Sequence, residues 1–325
     1  MRRSSVLWLV VVICVGGTIA IRLIGSRISE SIRPVPASRP SAELARPRDY
    51  VVEPVVDPAE RDNGPARIIS MAPSITETCC ALGLLDRLVG RTPYCVNPPA
   101  LRVRNVPTVG ALVDANLESI VSLRPDLILI PKNAPRLAAL FAPLRLRFEE
   151  ITDDSFSGIF AGIERVGELT GRRATAARLI GNLQHDLAVI DMVARTRRAR
   201  RVLLVEGALP VPARSVFVAG PGLFLSELLE RLGHQNAAAG IVSGKSGELS
   251  LEQIVTINPD VILEARADAS AAVMEAVYEA WSRLGRIEAI RSRAIRSYGT
   301  DDDLVPSPRI SIVYYQLAEA LADWR

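Results

Sequence analysis

"LESIVSLRPDLILI" (Leu117–Ile130) recurs as "LEQIVTINPDVILE" (Leu251–Glu264), with eight of the fourteen residues identical. Each copy has apolar residues at helical spacing, then a Pro-Asp pair, then a short apolar run that is typical of a buried strand. We expect Pro125-Asp126 and Pro259-Asp260 to form the turns between helix and strand. The repeat therefore predicts that the chain builds one helix–turn–strand unit twice.

The residues around each copy follow the same order. A strand that starts at Arg67 ("RIIS") precedes the helical pattern "SITETCCALG", and a strand that starts at Arg201 ("RVLLVE") precedes "LFLSELLERLG", with Glu227 in the place of Glu77. Ser74 and Glu77 have the spacing of a capping box. Alternating helices and continuously apolar strands are typical of parallel sheets that are covered on both faces. The sequence thus predicts an α/β fold of two related lobes with mainly parallel sheets.

Between the lobes, aliphatic residues recur at helical spacing over 155–198. This stretch predicts one long helix, which Gly167 and Gly171 bend without ending, and it is much longer than an average helix. Two lobes joined by such a helix leave a cleft between them. Clefts of this kind are common binding sites for small ligands.

The N-terminus has the pattern of an export signal, because Arg2 and Arg3 precede an apolar run from Val6 to Ile21. A signal cleaved after Ala20 and an uncleaved anchor fit equally, whereas a lipid anchor at Cys14 is disfavoured by the bulky Ile13 before it. All three place the remaining chain outside the cytoplasm. A proline-rich, charged stretch without apolar periodicity follows. The predicted organisation is a signal peptide or membrane anchor (1–25), a disordered tether (26–65), an N-terminal lobe (66–154), a bridging helix (155–198) and a C-terminal lobe (199–325).

The composition excludes several function classes. The 325 residues carry 39 basic and 36 acidic side chains, a net charge of +3, which gives no basic surface for nucleic acid. Two histidines and four cysteines without a CxxC pair predict no zinc or other protein-bound metal site. A disulfide from Cys79 or Cys80 to Cys95 stays open. Hydrolase, dinucleotide and Walker motifs are absent, so we expect no enzyme, no catalytic residue and no intrinsic cofactor.

The ordered motifs "RIISMAPSITETCCALGL", "LVGRTPYCVNPP", "PTVGALVDANLESIVSLRPDLIL" and "PSPRI" resemble the substrate-binding proteins of ABC importers for vitamin B12 and iron siderophores, the helical-backbone metal-receptor type. The resemblance covers Arg67 to Arg325. It implies a monomer on the periplasmic or outer face of the membrane, with an ABC permease, its ATPase and a small-molecule ligand as partners. It also implies a rigid inter-lobe helix beside the ligand cleft.

The resemblance also implies that Glu118 in "NLESI" and Glu252 in "SLEQI" dock on arginines of the permease. A permease of two equal halves would need the same carboxylate twice, which gives the repeat a functional reason. The alternative is helix-start chemistry, in which Asn116 or Asp114 caps the first helix, Ser250 caps the second, and the glutamates favour the helix dipole.

The ligand loops of the family fall on an expected set of binding residues: Tyr94, Gly110, Leu112, Lys132, Ser246, Asp301, Asp302 and Asp303. Tryptophans that press on the corrin ring in cobalamin binders have no counterpart here. The ligand implied is a metal chelate, cobalamin, a ferric siderophore or a similar molecule, and the acidic run favours a cationic or amide-rich one unless it is only a solvated turn. A membrane-tethered sensor or scaffold that keeps the fold without a transport ligand is the alternative function.

Overall fold

The structure, a computed structural model, describes residues 14–15, 18–19, 45–60, 63–132, 134–153, 155–194, 198–207, 214–266, 269–285, 287–299 and 305–322. The chain divides into two compact units, Met1–Arg39 and Pro40–Arg325. In the first, Cys14–Val15 and Thr18–Ile19 pair antiparallel; the rest of the predicted signal or anchor lies outside the described residues. No helix within the described ranges is long and apolar enough to cross a membrane.

The N-terminal lobe is built on a parallel sheet in which alternate residues serve two cores. In its third strand, Leu127 and Leu129 face one core while Ile128 and Ile130 face the other, as the continuous apolar run predicts. The strand order is β2-β1-β3-β4. The elements are β1 (Ile68–Ser70), α1 (Pro73–Ala81), a 3₁₀ turn (Leu85–Arg87), β2 (Leu88–Arg91), α2 (Ala100–Val103), α3 (Leu117–Ser122), β3 (Leu127–Pro131), α4 (Pro135–Phe141), a 3₁₀ turn (Ala142–Leu144) and β4 (Phe148–Ile151).

Two helices, α5 (Phe156–Thr170) and α6 (Arg173–Ala194), stand where one long helix was predicted, so the prediction of a continuous helix was wrong. Gly171 ends α5 in the left-handed conformation, with φ +73°, and its N–H bonds back to Gly167. A side chain at Gly171 would also press on Asn63, because a Cβ there would lie 2.6 Å from the Asn63 Oδ1 atom. The glycine therefore terminates the helix instead of bending it.

The C-terminal lobe repeats the design with additions at one edge. Its strand order is β8-β6-β5-β9-β10, with the short β7 beside β5. β5, β9 and β10 are parallel, whereas β6 runs antiparallel to both of its neighbours. The prediction of two related lobes with mainly parallel sheets is confirmed. The elements are β5 (Arg201–Val205), β6 (Ser215–Ala219), α7 (Phe224–Arg231), β7 (Gln235–Asn236), β8 (Ser246–Ser250), α8 (Leu251–Ile257), β9 (Val261–Ala265), α9 (Ala271–Ser282), α10 (Glu288–Arg291), β10 (Ile295–Tyr298) and α11 (Ile310–Ala320).

Part of the predicted tether is packed against the bridge. Residues 45–60 form turns and loops, but Tyr50 is only 6% exposed, and its hydroxyl donates to Asp186 of α6 over 3.1 Å. Asp57 forms an ion pair of 2.6 Å with Arg178 of the same helix. The tether prediction therefore extended too far toward the C-terminus. Without apolar periodicity, a segment that gains its contacts from a distant helix gives no sign of order in the sequence.

Each Pro-Asp pair clamps the start of the neighbouring strand. The Asp126 carboxylate accepts the backbone N–H groups of Ala66 and Arg67, both over 2.9 Å. Asp260 accepts the N–H of Arg201 over 2.8 Å in the other lobe. In return, the N–H of each aspartate donates to the carbonyl of the same arginine. The repeated aspartate thus fixes the register of two parallel strands, beyond the turn role expected of it.

We expect Asp126→Ala to lower the free energy of unfolding by about 1–3 kcal/mol, because two backbone donors lose a charged acceptor. Asp126→Asn keeps one acceptor oxygen and should lose less. Urea unfolding followed by circular dichroism measures both. Equal stability of the alanine variant and the wild type would contradict the clamp.

Candidate functional site

The carboxyl ends of parallel strands gather the predicted ligand-binding residues of the first lobe. β2 ends at Arg91, shortly before Tyr94, and β3 ends directly before Lys132. Since these strands are parallel, both side chains stand at the same edge of the sheet. The Tyr94 ring is 69% exposed and Lys132 is exposed as well. This edge offers an aromatic face and a cation to a ligand.

The loop between α2 and α3 contains a tight turn that holds an apolar tip at this edge. Gly110 has φ +83°, and a Cβ on it would lie 2.4 Å from the carbonyl oxygen of Asp114, so only glycine fits. The Asp114 carboxylate closes the turn by accepting the N–H of Ala111 over 2.8 Å. Leu112 and Val113 at the tip are 40% and 71% exposed. The turn therefore presents two apolar side chains to solvent.

Arg91 positions the loop that carries Tyr94, a role that was not predicted from the sequence. Its Nε donates to the Val106 carbonyl over 3.1 Å, and its Nη1 donates to the carbonyls of Thr92 and Cys95 over 3.2 and 2.9 Å. The loop is thus tied on both sides of Tyr94. The sequence signal that could have indicated this role is the position of Arg91 at the end of an apolar strand.

Ser246 lies at the carboxyl edge of the second lobe. Its hydroxyl donates over 2.8 Å to Glu206, which directly follows β5. Arg266 follows β9 at the same edge, and its Nε donates over 2.5 Å to the fully buried Glu264. Glu206 and Arg266 are further polar groups of this edge that were not predicted as site residues. Their positions directly after apolar strands were a sequence signal for this location, because ligands of parallel sheets bind at the carboxyl ends of strands.

The structure thus places Tyr94, Gly110, Leu112 and Lys132 together on one lobe and Ser246 on the other. The predicted acidic residues Asp301, Asp302 and Asp303 lie outside the described residues. The two described edges combine a ring, apolar side chains, a lysine, a serine and a carboxylate. Such a mixed surface can recognise the periphery of a ligand that is apolar at its centre and polar at its rim.

The predicted capping box of the first helix is not formed. Ala72 is the N-cap of α1, with no side-chain hydrogen bond, and Pro73 occupies the first turn. The Ser74 hydroxyl instead donates to Asp153, and Glu77 accepts from Ser307. The spacing of a capping box was present, but both side chains have distant partners that the sequence does not reveal.

Glu118 and Glu252 occupy the same position in the two lobes. Each is the second residue of its helix and is exposed. Capping is done by other groups: the Asn116 side chain accepts a backbone N–H of α3, and Ser250 with Gln253 forms a full capping box on α8. Bonds from its own backbone N–H and from the Ser250 hydroxyl hold the pKa of Glu252 below its usual value. Both carboxylates remain open to a partner.

The three cysteines of the first lobe are buried free thiols. Burial, together with the charge of Glu77, raises the pKa of Cys80 to about 12, and burial raises the pKa of Cys79 well above its usual value. Such thiols stay protonated near neutral pH and are poor nucleophiles. Across the described ranges, no group of three or more histidine, cysteine, aspartate or glutamate side chains could hold a metal ion.

Comparison with known proteins places the fold and this site in context. An uncharacterized ABC transporter substrate-binding lipoprotein, YvrC of Bacillus subtilis (strain 168), is 31% identical over 267 residues, which cover 79% of this chain and 80% of that protein. A cobalamin-binding protein of Halobacterium salinarum (strain ATCC 29341 / DSM 671 / R1) is 29% identical over 269 residues, 80% of this chain and 70% of the relative.

Among solved structures, the periplasmic heme-binding protein BhuT in complex with two hemes superimposes with a TM-score of 0.67 at 25% identity, over 79% of this chain and 98% of that one. The sequence profile described as periplasmic binding protein matches residues 68–301. That match spans the N-terminal lobe, the helices of the bridge and the C-terminal lobe as far as residue 301. The chain therefore belongs to the periplasmic binding protein family.

Proposed function

We propose that this protein is the solute-binding component of an ABC importer and works as a monomer on the periplasmic or outer face of the membrane. The observation that carries the proposal is the family match over residues 68–301, because it includes the sheets of both lobes and the bridge between them. The family is one of transport binding proteins. The protein captures its ligand between the lobes and delivers it to a membrane permease with an associated ATPase.

The ligand is a metal chelate of the cobalamin, haem or siderophore class. Similar proteins are named for cobalamin and for heme, which supports this choice. A chelate brings its own metal ligands, so the cleft has to fit only its periphery. Tyr94, Leu112 and Lys132 supply a ring, an apolar contact and a cation for that purpose, and Ser246 supplies a hydroxyl from the other lobe.

Calorimetric titration of the full-length protein tests this proposal. The panel holds cyanocobalamin, cobinamide, haemin and several ferric siderophores, with metal-free protoporphyrin and iron-free siderophores as controls. We expect one compound to bind at micromolar affinity or better, about −8 kcal/mol. Tyr94→Ala should weaken that binding about tenfold, as expected for a lost aromatic contact, while Met192→Ala, on the exposed face of α6, should not.

If no compound of the panel binds to a protein that still unfolds cooperatively, the transport proposal is overturned. It would favour a membrane-tethered sensor or scaffold. Binding that Tyr94→Ala leaves unchanged would support transport but move the ligand away from the first lobe's edge.

A further inference from the structure

Two glutamates at matching positions of the repeat each contact a segment outside their own lobe. Glu77 of α1 accepts from the Ser307 hydroxyl over 2.5 Å, and Ser307 lies just before the last helix of the second lobe. Glu227 of α7 accepts from the backbone N–H of Phe156 over 3.3 Å, and Phe156 begins α5. Thus α1 of the first lobe contacts the segment before α11, the helix that follows the last strand of the second lobe. In turn, α7 of the second lobe contacts the start of α5, the helix that follows the last strand of the first lobe.

Both contacts lie where the carboxyl edges of the two sheets approach each other. Phe156 follows β4, the last strand of the first lobe, and Ser307 follows β10, the last strand of the second. Glu227 meets the N-terminal end of α5, where negative charge is favoured, whereas Glu77 meets a serine hydroxyl three residues before α11. Ser307 also accepts the N–H of Arg309, the N-cap residue of α11, over 3.2 Å, so Glu77 is linked through Ser307 to the start of that helix.

The two contacts differ in burial and therefore in strength. Glu77 is 2% exposed and Ser307 is 1% exposed, whereas Glu227 is exposed. A short hydrogen bond to a carboxylate that is shielded from water is hard to replace once broken. The longer bond of Glu227 competes with water and is easily exchanged. The second contact can open while the first stays closed.

A neighbouring ion pair keeps the second lobe fixed to the bridge. Arg231, one turn beyond Glu227 in α7, makes two bonds of 3.0 and 2.6 Å to Asp191 of α6. The Tyr314 hydroxyl of α11 donates to the same carboxylate over 2.5 Å. Because α7 and α11 are both bound to α6, they move with it as one body. Relative movement of the lobes would then change the contacts of Glu77 and Glu227, and with the latter the contact of Arg231 with the Phe156 ring, whose centroid lies 5.6 Å from the guanidinium carbon.

We propose that Glu77 and Glu227 are positioning residues for lobe movement, in which the Glu77–Ser307 bond is a lasting pivot and the Glu227–Phe156 bond breaks when the cleft opens. The inference rests on the proposed function only in that cleft opening would control ligand exchange. It also assigns a structural role to the repeated order of the two lobes, because the matched glutamates Glu77 and Glu227 both hold the lobes together.

Distance measurements between spin labels test the pivot without any ligand. Labels at Ser122→Cys on α3 and Thr256→Cys on α8, both exposed, report the separation of the lobes in the full-length chain in a Cys14→Ser background. The buried thiols of the first lobe should not take up label. Glu227→Ala should add a population at longer distance. Glu230→Ala, an exposed carboxylate of the same helix, should leave the distribution unchanged.

Ser307→Ala should broaden the whole distribution, because the pivot itself is lost, while Glu77→Gln, which keeps an acceptor oxygen, should preserve most of it. If Glu227→Ala and Glu230→Ala both match the wild type, the proposal is overturned.

The dissociation rate of whichever panel ligand binds, followed by stopped flow, should rise about tenfold in Glu227→Ala, the factor for one lost hydrogen bond to a carboxylate. If nothing in the panel binds, the distances still decide the inference, so its failure is distinct from that of the transport function.

Discussion

Replacing both Glu118 and Glu252 with alanine is expected to reduce uptake of the transported chelate about tenfold to a hundredfold while its affinity for the isolated protein stays unchanged. Exposed ion pairs contribute only about 0–1 kcal/mol each. Their larger effect is on the encounter, because two separated carboxylates of the same sign orient the protein over a basic partner and raise its association rate. Capping of both helices relies on other side chains, so the fold should survive.

Uptake of the bound ligand by cells that contain the partner permease measures this effect, and calorimetry on the purified variants checks affinity. Each single substitution should give an intermediate loss, since one lobe can still dock. Glu230→Ala and Glu164→Ala, which remove exposed carboxylates elsewhere, serve as matched controls. Normal uptake by the double variant would refute docking through these residues and leave them with helix-start chemistry alone.

The sequence predicted those parts of the fold whose cause is local. The apolar runs Leu127–Ile130 in β3 and Val261–Leu263 in β9 are buried on both faces, and strands buried in this way are mostly continuous apolar runs. The end of α5 at Gly171 was not predictable in the same way. A glycine inside a helical pattern can bend or end it, and the close approach of Asn63 that favours the ending comes from a segment more than 100 residues earlier.

The candidate site also combines features with a local cause, which could be predicted, and features that depend on distant residues, which could not. Exposure of Glu118 and Glu252 follows from their place in the first turn of amphipathic helices, which the pattern gives directly. The partners of Arg91 are backbone carbonyls, and backbone groups carry no sequence signal. Ser74 and Glu77 were misassigned because a local spacing rule competes with tertiary partners, Asp153 and Ser307, that only the folded chain brings near.

The repeat itself points to a second large effect, at its last position, where the two copies differ in polarity. Ile130 ends the first copy as an apolar core residue, whereas Glu264 ends the second and is equally buried, at 0% exposure. A carboxylate in such a place needs compensating donors. Trp281 supplies its indole N–H and Arg266 its Nε–H, both over 2.5 Å. The substitution of glutamate for isoleucine therefore creates a buried support for Arg266 at the carboxyl edge of the second lobe.

We expect Glu264→Ala to lower the free energy of unfolding by about 3–5 kcal/mol, because it leaves a partly buried guanidinium and an indole N–H without their acceptor. Glu275→Ala is the matched control, since it breaks an ion pair with Arg293 in which both side chains are more than half exposed, and it should cost at most about 1 kcal/mol. Urea unfolding at neutral pH measures both variants. Trp281→Phe should fall between them, because it removes a neutral donor and keeps the ion pair. A Glu264→Ala variant no less stable than Glu275→Ala would mean that Arg266 is held at the cleft by other groups.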